Sequence, residues 1–377
     1  MDWKVQLFKL NFDHLERRAV NDVLDSGWLT MGEKTAQFES EFSKFLGGGV
    51  QSIAVSNATA ALHMSLLASE IQSGDEVIIS GLTFIADANV VKMCGAKVVL
   101  ADCESLDNWN LSAETIEPKI TKKTKAIIIV HFAGYPCDMV PIVELCKKHN
   151  ITLIEDAAHA PGASINGQMC GTFGDISCFS FFSNKNLSIG EGGMVVAKDP
   201  SLVQKLKHLR SHGMTTLSFD RHQGRSSSYD VIQPGLNYRM DEIRAAIGLV
   251  QLGKLKNGNE KRRMLTDIYR KNLSKLKISV PFAAMQSGMH SVYHILPILL
   301  PVDTDRGLVI QSMKDKYIQT SIHYPPFWDF HAYRDECSAD DCPFISLICP
   351  RELTLPLYPT MTEEEVGLVC TSLQEAL

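Results

Sequence analysis

Between residues 51 and 197, short apolar or β-branched runs recur at 52–55, 76–80, 97–101, 125–131, 151–155, 177–182 and 193–197. Most intervals between them are long enough for a helix and carry helical patterns, as in the stretch opened by Ser56-Asn-Ala-Thr-Ala-Ala-Leu-His63. Strands alternating with helices predict an α/β fold whose mainly parallel seven-stranded sheet is flanked by helices on both faces. In such a sheet ligands gather beyond the carboxyl ends of the strands. Gly-x-Gly patterns occur, but no GxGxxG follows a first strand, which disfavours a dinucleotide site.

Two residues stand at such strand ends. Ile151-Thr-Leu-Ile-Glu155 reads as a buried strand, with Asp156 just past it. The run Ile176-Ser-Cys-Phe-Ser-Phe-Phe182 aims its far end at Lys185, and Gly190, Gly192 and Gly193 then break the pattern before Met194 resumes a strand. A carboxylate and a lysine placed this way suit pyridoxal 5'-phosphate (PLP), which needs a lysine to hold its aldehyde and a carboxylate to keep its ring nitrogen protonated. On these two residues alone, a solvated lysine and a helix-capping aspartate are an equal reading. Two further stretches favour the cofactor. The strand Ser52–Val55 runs into a helix opened by capping residues, and a helix amino end suits a phosphate. Gly235-Leu-Asn237-Tyr-Arg239-Met-Asp241 supplies a second polar cluster before another helix.

SNATAALH at 56–63, TFIADAN at 83–89, EDAAHAPGA at 155–163, SFFSNKNLSIGEGG at 180–193 and GLNYRM at 235–240, in that order, resemble the DegT/DnrJ/EryC1/StrS sugar aminotransferases. The resemblance runs from SGWLTMG at 26–32 to IHYPP at 322–326. It implies PLP-dependent transferase fold type I, with a large PLP-binding domain over 1–240 and a connecting helix plus a small α+β domain over 241–377. It implies Lys185 as the catalytic residue. Cofactor contacts would come from Ala58, Thr59 and Ser180 at the phosphate, with Asn184 near them, Phe84 against the ring, Asp156 at its nitrogen, and His159 beside it. Asn237 matches a residue that reaches the neighbouring subunit's cofactor, which implies a homodimer with shared sites. Trp28 and Thr30 in SGWLTMG, and His323 and Tyr324 in HYPP, match the substrate end; for Trp28 a packing role is the favoured reading over direct substrate contact.

Asn57-Ala58 departs from the Ser-Gly of many members, yet alanine leaves its N–H free. Lysine rather than histidine at 185 favours amination over deoxygenation. The GEGG after the lysine resembles the branch that aminates C-4, and HYPP resembles members using dTDP- or UDP-sugars. The expected reaction is therefore transfer from L-glutamate to a nucleotide-linked 4-keto-6-deoxy sugar, giving a 4-amino sugar for a surface polysaccharide or related glycan. A C-3 keto-sugar, a cyclitol ketone, or a non-catalytic regulatory protein on the same fold are the alternatives.

Composition narrows the partners. A net charge of −6 disfavours a nucleic-acid surface. No apolar run nears the ~20 residues of a membrane span, and the amino terminus lacks an apolar signal region, so a cytoplasmic enzyme is expected. The ten cysteines show no metal-ligand spacing, and no metal is expected.

Elsewhere, helices are expected from about Asp13 to Ser26, from Glu33 to Leu46 before Gly47-Gly-Gly49, and from about Asp241 onward, with a mobile loop at Ser218–Tyr229. Tyr293–Leu300 reads as a strand with Pro297 at an edge or bulge, and Thr320–Pro326 as a strand entering a rigid turn. His131 and Gly134 mark another strand end, and a closing helix runs from the cap Thr362 to Leu377.

Overall fold

The structure is a computed structural model that describes residues 2–216 and 228–377. Most of the expected loop at 218–229 lies outside the described residues.

Two helices come first, α1 (His14–Ser26) and α2 (Glu33–Leu46). Asp13 caps α1 by accepting from Leu15 N–H at 2.7 Å, while Glu16 reaches back to Asp13 N–H at 2.8 Å. There follow β1 (Gln51–Val55), α3 (Ala58–Ala68), β2 (Glu76–Ser80), α4 (Ala86–Met93), β3 (Lys97–Ala101), α5 (Ala113–Ile116), β4 (Thr124–Val130), α6 (Met139–His149) and β5 (Thr152–Asp156). The short pair β6 (Ser164–Ile165) and β7 (Gln168–Met169) precedes β8 (Ile176–Ser180), β9 (Gly193–Ala197) and α7 (Pro200–Arg210).

The main sheet has the order β1-β9-β8-β5-β4-β2-β3. All its neighbours are parallel except β9, which runs antiparallel to both β1 and β8. Residues on both faces of β2, β8 and β9 are buried, which is why these strands read as continuous apolar runs rather than alternating ones. Helix α3 is apolar on nearly every side and correspondingly buried.

The second half opens with α8 (Glu242–Leu273), capped by Asp241 through Arg244 N–H at 2.9 Å. Then come β10 (Met289–His290), β11 (Leu296–Leu299), α9 (Arg306–Asp315), α10 (Pro343–Ile348), β12 (Glu352–Leu355) and α11 (Glu363–Ala376). β11 and β12 pair antiparallel, with Pro297 opposite Thr354. The largest apolar cluster joins residues of the main sheet with Leu296, Ile298, Leu353 and Leu373.

Two expected strands are shorter than their patterns. Tyr293 has φ +50°, and the N–H groups of Val292 and His294 donate to Gly134 and Ala133 carbonyls, so the strand begins only at Leu296. In 320–326, Ser321 exchanges both backbone bonds with Thr354, but His323 N–H turns to the Glu352 carboxylate and the ladder stops. Pro325 and Pro326 have no N–H to restart it.

Glu242 ties the two halves together. Gly32, at the start of α2, has no capping side chain, and the buried Glu242 carboxylate accepts instead from the N–H groups of Gly32, Lys34 and Thr35 and from the Thr35 hydroxyl, at 2.6–2.8 Å. Truncating it leaves those donors unpaired. Glu242→Ala should lower the unfolding free energy by about 3 kcal/mol. Urea unfolding at a fixed protein concentration checks this, and stability equal to wild type would show the cap to be immaterial.

Candidate active site

The carboxyl ends of β4, β5 and β8 and the amino end of α3 meet at one cavity of about 400 Å³. Asp156 is the last residue of β5 rather than the first beyond it. Strand alternation sends Glu155 the other way. There the buried Glu155 bonds His131 at 3.0 Å and accepts from Gly171, Phe173 and Gly174 N–H groups at 2.7 Å. Burial pushes its carboxyl up, but the His131 bond and those N–H groups outweigh it and leave the net shift downward. His131 is thus a structural partner away from the cavity.

Asp156 faces the cavity, with Oδ1 accepting Ala158 N–H at 2.9 Å. Burial raises its carboxyl above the ordinary range, opposed by the Ala158 N–H, Lys185 and His131. Lys185 lines the same cavity, and its loop is turned by a bond from its own N–H to Phe182 O at 2.9 Å. Burial pulls the amine down to about 8, and Asp156 works against that shift.

At α3, Asn57 caps the helix by accepting from Ala60 N–H at 2.8 Å, leaving Ala58 and Thr59 N–H groups without helical acceptors. β9 passes so close that a Cβ on Gly193 would lie 2.6 Å from the Asn57 carbonyl carbon and 2.8 Å from Ala58 N. Glycine is therefore required where the lysine loop meets this helix. Gly134, at φ +87°, is similarly confined: a Cβ there would stand 2.9 Å from His159 O.

The walls are aromatic. Phe84 is 54% exposed, which excludes a core role, and its ring lies 5.8 Å from that of Tyr324. His159 Nδ1 accepts Ala133 N–H at 3.3 Å, so the ring proton sits on Nε2 and is donated to the Tyr324 oxygen at 3.2 Å. It makes no bond to Asp156. Burial, with the charge of Lys185, holds its titration well below the usual range.

Of the residues singled out in the sequence, Ala58, Thr59, Phe84, Asp156, His159, Ser180, Asn184, Lys185, His323 and Tyr324 line this cavity. Trp28 lies instead in a separate hollow with Asp22, Lys34 and Glu242, while Thr30 and Asn237 are exposed outside the cavity. Asn57, Thr83, Phe182 and Glu191 also line it and were given no role there in the sequence reading. Neither was Asp87, a buried acid just behind the wall that accepts from Thr83 Oγ1 at 2.6 Å. Its carboxyl is pushed well up by burial and by Asp156. The signal was present in TFIADAN: a carboxylate amid apolar residues, four positions after a hydroxyl at a helix start.

A seven-stranded, mainly parallel sheet with a lysine and an aspartate facing one cavity at its strand ends fits the PLP-dependent aminotransferases of fold type I, and solved structures of that class share it across the whole chain. The model of the DegT/DnrJ/EryC1/StrS aminotransferase family matches residues 11–374, and the chain belongs to that family. It is similar to GDP-perosamine synthase of Escherichia coli O157:H7, at 38% identity over 96% of this chain and 95% of that one. Spore coat polysaccharide biosynthesis protein SpsC of Bacillus subtilis is 35% identical over 96% and 94% of the two chains. Spr1654 of Streptococcus pneumoniae in its PLP form superposes with a TM-score of 0.89 at 28% identity, over 100% of this chain and 99% of that one. The chain is a PLP-dependent sugar aminotransferase.

The Lys185 titration gives a direct check. Only the neutral amine is nucleophilic, so trace acetylation of Lys185 in the cofactor-free protein should rise with pH and be half-maximal near 8. An ordinary lysine would reach that point only near ~10.4. Peptide mass spectrometry across pH reads the midpoint, and an ordinary value would mean the amine is not desolvated.

Proposed function

We propose that the chain transfers an amino group from L-glutamate to C-4 of a nucleotide-linked 4-keto-6-deoxy sugar, dTDP- or UDP-linked, giving a 4-amino sugar for a surface polysaccharide or related glycan. The observation that carries the reading is Lys185, its amine lowered to about 8, in one cavity with Asp156 and the amino end of α3. Those donors fit PLP group by group. The N–H groups of Ala58 and Thr59, with the Thr59 and Ser180 hydroxyls, suit its phosphate. Asp156 suits the ring nitrogen, Lys185 the aldehyde, and the exposed face of Phe84 the ring. Among the described residues Asn184 Oδ1 is buried without a partner, which suits it to accept a donor there.

When bound, PLP supplies an electron sink that lets the substrate's amino-bearing carbon lose a proton. Lys185 takes that proton as a neutral amine and returns it as an ammonium, a role its lowered titration suits near neutral pH. Asp156, ionised opposite a cation, holds a proton on the ring nitrogen. His159 and Tyr324 fix each other's orientation, and His323 and Tyr324 form the wall open to the sugar. C-4 is favoured by the GEGG that follows Lys185. The names of the perosamine synthase and the spore coat protein agree with an amino sugar made for polysaccharide, and the former adds GDP-sugars to the candidates.

Assaying dTDP-, UDP- and GDP-linked keto-sugars with L-glutamate should give a product aminated at C-4 by NMR. Amination at C-3, or turnover of a cyclitol ketone instead, would overturn the assignment. In the same assay Lys185→Ala should lose at least ~10²–10⁴-fold in rate. Asp156→Asn should fall by orders of magnitude while remaining folded by circular dichroism, and near-normal turnover with bound PLP would remove Asp156 from the ring.

The exposed position of Asn237 supports a role in the partner subunit's phosphate site. In mixed dimers of Lys185→Ala and Asn237→Ala chains, one site would carry both defects and the other neither, so activity should recover toward half the wild-type value per dimer. Verified mixed dimers that stay inactive would place Asn237 at its own chain's site or at none.

A further inference from the structure

His323 enters the cavity wall from a buried polar cluster that the reaction does not use. Its N–H donates to Oε2 of Glu352 at 2.8 Å. Its Nδ1 lies 2.8 Å from Thr354 Oγ1, and that hydroxyl lies 2.6 Å from Glu352 Oε1. Glu352 and Thr354 are two apart on β12, so both point to the same face, and both are fully buried. His323 lines the cavity, and Nε2, the ring nitrogen not engaged by Thr354, has no hydrogen-bond partner among the described residues. A hydroxyl has one proton and can donate to only one of its two neighbours, so the chain of bonds from carboxyl to imidazole has two polarities.

We infer that Glu352 and Thr354 are positioning residues that set which ring nitrogen of His323 carries its proton, and so whether the wall offers the sugar substrate a hydrogen-bond donor or an acceptor. With Glu352 ionised, the Thr354 hydroxyl donates to the carboxylate and accepts from Nδ1–H, leaving Nε2 bare. With Glu352 protonated, the carboxyl donates to Thr354, the hydroxyl donates to Nδ1, and Nε2 carries the proton into the cavity. No net proton crosses the relay beyond the one Glu352 gains or loses.

The surroundings set where the exchange occurs. Burial pushes Glu352 up to about 8, against the bonds from Thr354 and His323 N–H and the charge of Arg306. The Arg306 guanidinium, on α9, is tied to the backbone carbonyls of Cys349 and Glu352 rather than to the carboxylate. Cys349 beyond α10 and Tyr324 are the other titratable groups that feel Glu352, and burial holds both in their neutral forms. β11 presents Leu299 opposite Glu352. Burial, with the charge of Lys185, holds His323 at about 3, so the choice is between two neutral tautomers. The sign follows: below about 8 the wall donates, and above it the wall accepts.

The role of the wall rests on the sugar-site reading, but the test reads the imidazole itself and stands apart from turnover. The PLP-loaded enzyme, labelled with 15N-histidine, is followed by long-range 1H–15N correlation from pH ~6.5 to ~9.5, bracketing the Glu352 transition. The His323 signals are assigned by their loss in His323→Gln. In wild type the protonated and bare nitrogens should exchange identities with a midpoint near 8. Thr354→Ser, which keeps the hydroxyl, should retain the exchange; Thr354→Val and Glu352→Gln should each abolish it. A His323 tautomer indifferent to pH in wild type, or one that still tracks pH without the hydroxyl or without the acid, would overturn the relay. Glu352→Gln keeps the question decidable if Thr354→Val does not fold.

Discussion

Lys185 and Asp156 share one cavity, and burial moves their titrations toward each other: the amine down to about 8, the carboxyl above its ordinary range. Each group opposes the other's shift, because a charge on either stabilises the opposite charge nearby. The balance keeps a neutral amine accessible near neutral pH. Everything else in the large sheet serves to hold these two at adjoining strand ends. β5 and β8 are paired through Asp156 itself, which stands opposite Cys178, so the strand carrying the acid is hydrogen-bonded to the strand that leads to the lysine.

The adjacent acids Glu155 and Asp156 show how far one residue of register matters. Both are buried, yet their carboxyls shift in opposite directions. Glu155 faces a turn whose N–H groups and His131 saturate it, and it thereby fixes the 171–174 segment against the strand. Asp156 accepts one backbone N–H on one oxygen and faces the cavity. A slip of one residue in β5 would exchange these environments, so the core face of the strand specifies the chemistry of the cavity face.

Much of this was legible from pattern. The seven strands follow from apolar runs buried on both faces, and α1, α2, α8 and α11 follow from their caps and breaks, as at Asp13, Gly47, Asp241 and Thr362. The cavity-lining residues at strand ends were legible because their motifs sit where the alternation changes. What pattern does not carry is where an individual N–H goes. Residues 293–295 and 322–326 look like strands, but Gly134, Ala133 and the Glu352 side chain capture their donors. Glu352, which no motif marks in the sequence, opens β12 fully buried, with His323 N–H and the Thr354 hydroxyl bonded to its carboxyl. Trp28, Thr30 and Asn237 share a different difficulty: nothing in their spacing tells which cavity, or which chain's cavity, they approach.

The distal half of the chain also reaches into the position of the lysine. Asn186, next to Lys185, donates to Asn259 on α8 at 2.8 Å and to Val292 O at 2.9 Å, and its own oxygen bonds His294 Nδ1 at 3.0 Å. Arg262, buried on the same helix, donates to His294 O at 2.9 Å and to Leu357 O at 2.8 Å. The His294 ring in turn lies 4.4 Å from that of His159, which faces the cavity. The direct partners of Asn186 are amide, carbonyl and imidazole groups, and burial holds His294 neutral. A cation bonded into that loop would lower the amine further, and a carboxylate would raise it back toward ordinary lysine. Pinning the loop with uncharged groups therefore fixes Lys185 in place while leaving its titration to burial and Asp156 alone.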